Sequence, residues 1–561
     1  MQQRPFDVKE FPIVVAIDFG TTFSGCSYAY APDEKEVYDV TKWPRQSIQY
    51  CKTPTLNLYK KADPEHKLVA WGWNAKLEMQ KPTARHHILL QQYKLHLDES
   101  LHNAPLAVEI HVLDAIAQYL EVFHDYVVSE IMRGFGKSFQ QDHFRYCLTV
   151  PAMWSDRAKS VMRQAAIRAN LIKETDHPER LMLVSEPEAA ALYCERKCDQ
   201  FELGHGDRFM ICDAGGGTVD LIVFEIEKTS VGRRLSEVTK GHGASCGSVF
   251  VDRNMKVLLE ERFGHHVINF PATIIPSLVD TFADTIKPQF DGVDDHFLPL
   301  PAKSCFEDIP DPEALGIDDG CMILRADELR DKVFEPVVRD ILALIDNQLN
   351  QARTCSAIFM VGGFGSSSYL HTRVEQEFGR RVGCVSVPPR PELAVVRGAA
   401  YVGLNPRVVT ARITRRCYGI EMRRPFEEGI DPYEKRKVGV DGIFCFDRFW
   451  PLVVKGQRLN VDECVSKDIT FTKWQDRLED SNVTLYSSEA DGAPPRYITD
   501  YGVSKLANIR IPCPFTHTNP IGTEVKAMVS MFFGQSEIKA EVKIHNNVYS
   551  TTLQFDAVDT F

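Results

Sequence analysis

The sequence predicts an α/β chain that gives way near its C-terminal end to an all-β unit, and three observations carry that expectation. From residue 13 to about 405, short apolar runs ending in Gly or Asp alternate with amphipathic helical patterns. After residue 405 the period changes to strict two-residue alternation. Finally, one design occurs twice: Ile17-Asp18-Phe19-Gly20-Thr21-Thr22 and Cys212-Asp213-Ala214-Gly215-Gly216-Gly217-Thr218 each read as an apolar strand, then Asp, Gly and Thr. The two aspartates are 195 positions apart, the separation expected of two similar α/β lobes that face each other.

Ile13–Ile17, Phe209–Cys212 and Ile358–Val361 read as buried strands with ligand-facing ends. Between such strands, Ser155 is placed to cap a helix burying Ala158, Met162, Ala165 and Ala169. Asp327 is expected to cap a second, with Leu329, Val333, Ile341, Ile345 and Leu349 inward. Ser367 is expected to start a third, with Leu370, Val374 and Phe378 on one face. Alternation of this kind implies a layered α/β architecture. In the tail, Ile538, Ala540, Val542 and Ile544 alternate with charged residues, and Tyr549, Thr551, Leu553 and Phe555 alternate again after Asn546-Asn547, which predicts a hairpin centred on the Asn pair. Val525–Met531 supplies another strand, ended by Gly534.

At 561 residues the chain exceeds the roughly 250–300 that one core supports. The division expected is a flexible stretch over 1–12, one lobe over 13–205, a second over 206–405 and a β-unit over 406–561. The net charge of −12 disfavours nucleic acid and anionic lipid as partners. No run approaches the ~20 apolar residues of a membrane span, and Met1–Pro12 lacks an apolar signal core. The 15 cysteines are scattered and mostly sit in apolar runs, which suits reduced thiols in the cytoplasm, or in cytoplasm and nucleus. Cys194, Cys198 and His205 lack paired zinc-ligand spacing. Asn482-Val483-Thr484 matches a glycosylation acceptor without a secretion signal beside it.

A triphosphate needs backbone N–H groups at close range, which glycine permits because it has no Cβ. It also needs hydroxyl donors, and carboxylates that hold hydrated Mg²⁺. Gly20-Thr21-Thr22 and Gly215-Gly216-Gly217-Thr218 offer the donors, and Asp18 and Asp213 the carboxylates. A third glycine site, Val361-Gly362-Gly363-Phe364-Gly365-Ser366-Ser367, stands at a strand-to-helix turn. Its spacing is wrong for a dinucleotide fingerprint. The chain also contains no Gly-x₄-Gly-Lys-Ser/Thr stretch, which argues against a P-loop NTPase.

These residues carry a family resemblance. Ile17–Ser24 is similar to the first phosphate loop of the heat-shock protein 70 superfamily, and Asp213–Asp220 to its second. Val150-Pro151-Ala152 with the helix to Leu171 resembles its connecting segment, and Ser185–Ala191 its Glu-Pro-x-Ala-Ala segment. Val361-Gly362-Gly363 resembles its adenosine loop, and Arg397-Gly398-Ala399-Ala400 the helix closing its nucleotide domain. Val150–Trp154, the Cys after Tyr193, Phe364, Tyr497–Asp500 and Phe533–Lys539 resemble the heat shock 70 kDa protein 12 branch and its fungal-type relatives. The resemblance implies an actin-like, ribonuclease H-like ATPase fold followed by a β-sandwich, with ATP or ADP and Mg²⁺ as cofactors.

Residue by residue, the resemblance implies that Asp18 and Asp213 organise the metal. Thr21, Thr22 and Gly215–Gly217 bind phosphates alongside Gly20 and Phe23, and Thr218 stands by the γ-phosphate. Lys94 neutralises charge, Glu186 orients water and Asp220 supports it from behind. Gly247, Lys287, Gly362, Gly363 and Ser366 complete the nucleotide site. Departures stand out at the adenosine end: Ser366 replaces the family's Arg, Asp284-x-x-Lys287 shortens its Glu-x-x-Lys, and Phe23 replaces a common Tyr. The tail lacks the helical lid and the acidic-leucine linker; Arg407–Arg416 is basic and β-like instead. Phe444, Phe446, Phe449 and Trp450 could form a groove for client polypeptides or belong to the β-core. Three readings compete: a chaperone-like ATPase, a nucleotide-binding scaffold with little or no hydrolysis, and an actin-fold small-molecule kinase, against which stands the lack of an acceptor motif.

Overall fold

The computed structural model describes residues 8–552 apart from 34–35, 47–48, 102–105, 107–108, 136–138, 197, 231, 272, 302–308, 310, 407, 440–441, 462–463 and 534–537. Arg407, Gly534, the 534–537 part of the tail motif, Leu553 and Phe555 lie outside the described residues.

The repeated strand–Asp–Gly–Thr design becomes a repeated topology. Ile13–Phe19 forms an antiparallel hairpin with Phe23–Tyr30, placing Asp18 opposite Gly25. The same strand pairs in parallel with Phe144–Val150, which pairs in parallel with Leu181–Ser185. In the second copy, Arg208–Ala214 forms an antiparallel hairpin with Val219–Thr229, placing Asp213 opposite Asp220. It pairs in parallel with Ala357–Val361, and that strand with Cys384–Ser386. In both sheets the Asp-bearing strand is therefore interior, buried along its length save for Arg208 at the start of the second, and ends in the glycine turn. This mixed α/β architecture is compatible with an actin-like ATPase fold.

Each sheet has a large apolar core on one side, built around Phe19, Tyr119, Phe123 and Tyr146 in the first case and Phe282, Phe290, Phe334 and Ile341 in the second. A third core joins them, with Val14, Ala16 and Cys147 from the first sheet and Phe209, Ile211 and Phe359 from the second. Two helices, Glu186–Glu195 and Ala394–Leu404, cross in that shared core. They cross so closely that a Cβ on Gly398 would run into the Ala189 carbonyl, which accounts for glycine in the Arg397–Ala400 motif.

Two expected caps form as read. Ser155 Oγ accepts from the Ala158 N–H (3.2 Å) and Ser367 Oγ from the Leu370 N–H (3.4 Å), and the predicted faces are buried. Asp327 does not cap its helix. The Ala326–Glu328 turn is capped two residues earlier, at Arg325, with Asp295 Oδ1 accepting from the Ala326 N–H (2.7 Å). A wide π-helical turn over Leu329–Phe334 then precedes Glu335–Ala352, because Pro336 has no N–H to donate to the preceding turn. The inward face is nonetheless as expected: Leu329, Val333, Ile341, Ile345 and Leu349 are all buried.

Beyond residue 405, Val409–Ile413 adds a strand beside Gly232–Glu237 of the second sheet and pairs on its other edge with Arg458–Asn460. A five-stranded and a four-stranded antiparallel sheet follow and share one apolar core that includes Ile420, Leu485, Ile509, Val529 and Val542. The final hairpin turns on His545-Asn546, not Asn546-Asn547: Asn547 already pairs with Ile544, and His545 takes the left-handed conformation (φ 51°) that starts the two-residue turn. Of the aromatic cluster, Phe449 is core, whereas Phe444, Phe446 and Trp450 are half-buried. No helix among the described residues is long and apolar enough to cross a membrane.

Candidate functional site

The two glycine turns meet. A Cβ on Gly216 or Gly217 would collide with the hydroxyl of Thr22 or Thr21 from the other sheet, so the second loop can be glycine only. The carbonyls of this loop are held from behind by a helix start: Gly247, Ser248 and Val249 N–H groups donate to Gly217, Gly215 and Gly216 carbonyls at 3.0, 3.1 and 2.9 Å. Within the loop the Gly215 N–H donates to the Thr218 carbonyl (3.0 Å), which closes the turn.

Between the turns lies a cavity of about 240 Å³. Asp18, Gly20, Thr21, Thr22 and Phe23 line it from the first sheet, and Asp213, Gly215–Gly217 and Thr218 from the second. Lys94, Glu186, Lys287, Gly362 and Gly363 complete the expected set. Gly362 has φ +82°, and a Cβ there would stand 2.5 Å from both the Ala214 carbonyl and Asp213 Oδ1, so the third glycine site also needs glycine.

Three expected residues do not reach the cavity wall. Gly247 backs the loop, and a Cβ on it would meet the Gly216 carbonyl at 2.5 Å. Asp220 sits one layer behind, accepting from the Met153 N–H (3.2 Å) through Oδ1 while its buried Oδ2 has no partner. Ser366 is exposed and its Oγ donates to the Gly363 carbonyl (2.7 Å), closing its own turn. The Asp284-x-x-Lys287 pair also comes apart: Lys287 binds Asp252 (2.7 and 2.9 Å), while Asp284 binds Lys76 from the other side of the cleft (2.9 Å). The separation follows from packing: Asp252 lies on the Ser248–Phe263 helix and competes successfully for the ammonium.

Two buried ion pairs cross the floor. Lys94, 3% exposed, donates to Glu186 Oε1 (2.8 Å) and lies 5.1 Å from the Trp154 ring centroid. Lys52 donates to Asp18 Oδ2 (2.6 Å), and Thr149 Oγ1 donates to Asp18 Oδ1 (2.9 Å). Burial opposes the Asp18 charge, but Lys52 and Lys94 outweigh it and hold the carboxyl below its usual range. Burial, only partly offset by Lys94 and reinforced by Asp220 and Asp18, pushes Glu186 up to about 7. Burial, then Glu186, Asp220 and Asp18, pushes Asp213 well above the carboxylate range. Asp18, Glu186 and Asp213 on the wall, with Asp220 one layer behind, outnumber Lys52 and Lys94, an excess of acid that a divalent cation would relieve. The donor set fits hydrated Mg²⁺, an oxygen-seeking ion that keeps most of its water.

Lys52 was not expected from the sequence, nor were Tyr50, Ser248, Ala283, Phe364, Glu392 and Val395, which also line the cavity. A local signal for Lys52 does exist: Gly25 stands inside a strand, where glycine marks the close approach of another segment, and the Lys52 stem fills that space.

No family model matches the chain. It is 26% identical over 617 aligned residues to heat shock 70 kDa protein 12A of Homo sapiens and to that of Mus musculus, covering 95% of this chain and 89% of each relative. It is 27% identical over 622 aligned residues to heat shock 70 kDa protein 12B of Homo sapiens, covering 94% of this chain and 88% of the relative. The chain is therefore similar along almost its whole length to the heat shock 70 kDa protein 12 group, the branch of the heat-shock protein 70 superfamily that its motifs resemble.

Proposed function

We propose that this is an ATP-binding, ATP-hydrolysing chaperone-like protein. Residues 13–205 and 206–405 act as two lobes of an actin-like ATPase unit, and residues 406–561 as a β-sandwich whose state follows the nucleotide. The observation that carries this reading is the meeting of two Asp-Gly-Thr turns around one acidic cavity, with Lys94 and Glu186 paired on its floor.

In this reading Gly20–Thr22 and Gly215–Gly217 hold the β- and γ-phosphates of ATP, or the diphosphate of ADP, through N–H and hydroxyl donors. Asp18 and Asp213 hold the water shell of Mg²⁺, which when bound neutralises phosphate charge. Lys94 supplies a fixed positive charge for the γ-phosphate as the bond to the leaving oxygen lengthens. Glu186 accepts a hydrogen bond from the attacking water, and Thr218 donates to a γ-oxygen. Asp220, one layer back, fixes the Val150–Trp154 segment through the Met153 N–H. Phosphoryl transfer is mostly positioning and charge stabilisation, so no covalent nucleophile is required.

The second reading, a scaffold that binds nucleotide with little hydrolysis, draws on the adenosine end, where Ser366 is turned away and Lys287 is committed to Asp252. A calorimetric titration of the full chain with Mg-ATP, followed by phosphate release without any acceptor, separates the two. Release in line with binding supports the ATPase. Binding without release supports the scaffold, release only on adding a sugar-like acceptor supports a kinase, and no binding overturns all three. Client polypeptides on the half-buried face around Phe444 and Trp450 follow as a proposal, tested by whether ATP changes capture of a labelled unfolded peptide.

A further inference from the structure

We propose that Lys52 is a resident counter-cation of the phosphate site, so that this protein binds nucleotide largely without a divalent metal and uses the metal mainly for hydrolysis. The inference rests on the nucleotide reading above and deepens it.

Lys52 lines the cavity, and its ammonium donates to Asp18 Oδ2 at 2.6 Å. The other Asp18 oxygen accepts from Thr149 at 2.9 Å. Both oxygens of one expected metal-organising acid are therefore engaged by protein donors. The Lys52–Asp18 pair is nearly closed to solvent, with side chains 11% and 8% exposed. A lysine usually keeps its head in water, so a buried one needs both a partner and room for its stem. The partner is Asp18. The room comes from Gly25, opposite Asp18 in the hairpin: a Cβ there would stand 2.9 Å from Lys52 Cγ and 3.3 Å from its Cε. Backbone, stem and head are thus built for this placement. Lys52 also directly precedes the short Thr53–Pro54 strand, which pairs with Phe23 and Ser24 just past the first glycine turn.

Lys52 lines the same cavity as Gly20–Thr22 and Gly215–Gly217. Its ammonium carries three donors on one point charge, and Asp18 takes one of them, so others remain for phosphate oxygens. A metal bound here meets an Asp18 that is already neutralised, and Asp213 is left as the open carboxylate. A lysine fixed by the fold does not leave with chelator, which separates its contribution from that of the metal.

The test is calorimetric titration of the full chain with ATP, in excess magnesium and again after metal is stripped with EDTA. A charge-assisted contact of this kind is worth about tenfold or more in affinity. The wild-type Kd is expected to rise by no more than about tenfold on stripping, and that of Lys52→Met by about a hundredfold, whereas Lys52→Arg stays near wild type. Thermal melting checks that each variant folds. Should Lys52→Met not fold, the wild-type pair of titrations and Lys52→Arg still decide. Wild type that binds Mg-ATP but loses measurable binding in EDTA overturns the inference and leaves the nucleotide reading standing. Folded Lys52→Met that keeps wild-type metal-free affinity also overturns it. Wild type that binds neither form overturns both.

Discussion

The two ends of the cleft are built by different means. At the proposed phosphate end the frame is set by backbone: buried strands stop at Asp, sharp turns demand glycine, and a helix start holds the loop carbonyls, with the two lysine ion pairs added across the floor. At the proposed adenosine end the groups are set by which partner each side chain takes. Lys287 goes to Asp252, Asp284 reaches Lys76, and Ser366 closes its own turn. The contrast teaches where change should cost most: substitutions at the glycine turns meet close contacts, whereas those at the proposed adenosine end should cost little.

The largest effect is expected from Asp213→Asn. Asp213 lines the cavity outside both lysine ion pairs, and the substitution removes a proposed metal-organising carboxylate with little change of shape. Phosphate release should fall by about 10²–10³-fold, the scale of losing one preorganised electrostatic group, with Mg²⁺ no longer stimulating it. Retention of metal-stimulated release would break the assignment of the acid. Next comes Gly216→Ala, whose methyl collides with Thr22 across the two turns. Overpacking of this kind costs about 1–3 kcal/mol, so the melting temperature should drop and ATP affinity should fall with it. An unaffected melt would show that the two turns are not in contact in solution.

The same contrast explains what was legible in the sequence. The Asp-Gly-Thr repeat, the strand ends and the caps at Ser155 and Ser367 are local, and each is written in residues a few positions apart. The final hairpin was legible to within one residue, because alternation sets the strands but the turn residue is chosen by backbone conformation at His545. Asp327 failed as a cap because Asp295, 31 positions before Ala326, supplies the acceptor. The rearranged Asp284 and Lys287 were illegible for the same reason, their partners being far away in sequence; Lys52 left only an indirect trace, the glycine at position 25 that makes room for it.

A third prediction uses pH to weigh the two ion pairs on the floor. The folded protein holds Glu186 at about 7 against an ordinary 4.5, with burial the main cause. The pKa is raised in the folded state, so the associated stability is fully present below about 4.5 and is lost as pH rises through about 7. The melting temperature of nucleotide-free protein should therefore decline across that window. Glu186→Gln, which cannot ionise, should flatten the decline and reduce phosphate release while leaving ATP affinity within about threefold, since the group acts in hydrolysis more than in binding. A variant as pH-sensitive as wild type would move the titration to another group of the cluster.

The smallest effects belong to the adenosine end. Ser366 Oγ donates to the Gly363 carbonyl 2.7 Å away and stands in solvent outside the cavity wall. Removing that hydroxyl in Ser366→Ala breaks one exposed hydrogen bond, so ATP affinity should change by less than about twofold. Lys287→Ala reaches further, because this ammonium lines the cavity while bound to Asp252. It also leaves the Asp252 carboxyl, which burial already pushes upward, without its counter-charge. A loss of about three- to tenfold in ATP affinity is expected, with inorganic triphosphate binding unchanged because phosphate contacts lie at the other end. Titration with ATP and with triphosphate in parallel reads the difference. If Ser366→Ala weakened ATP as much as Gly216→Ala, affinity would reside equally in both ends and the contrast between a backbone-built and a side-chain-built end would fail. The opposite result, with triphosphate binding almost as well as ATP in the wild type, would sharpen it: recognition would then rest on the two glycine turns and their cations, with the base contributing little.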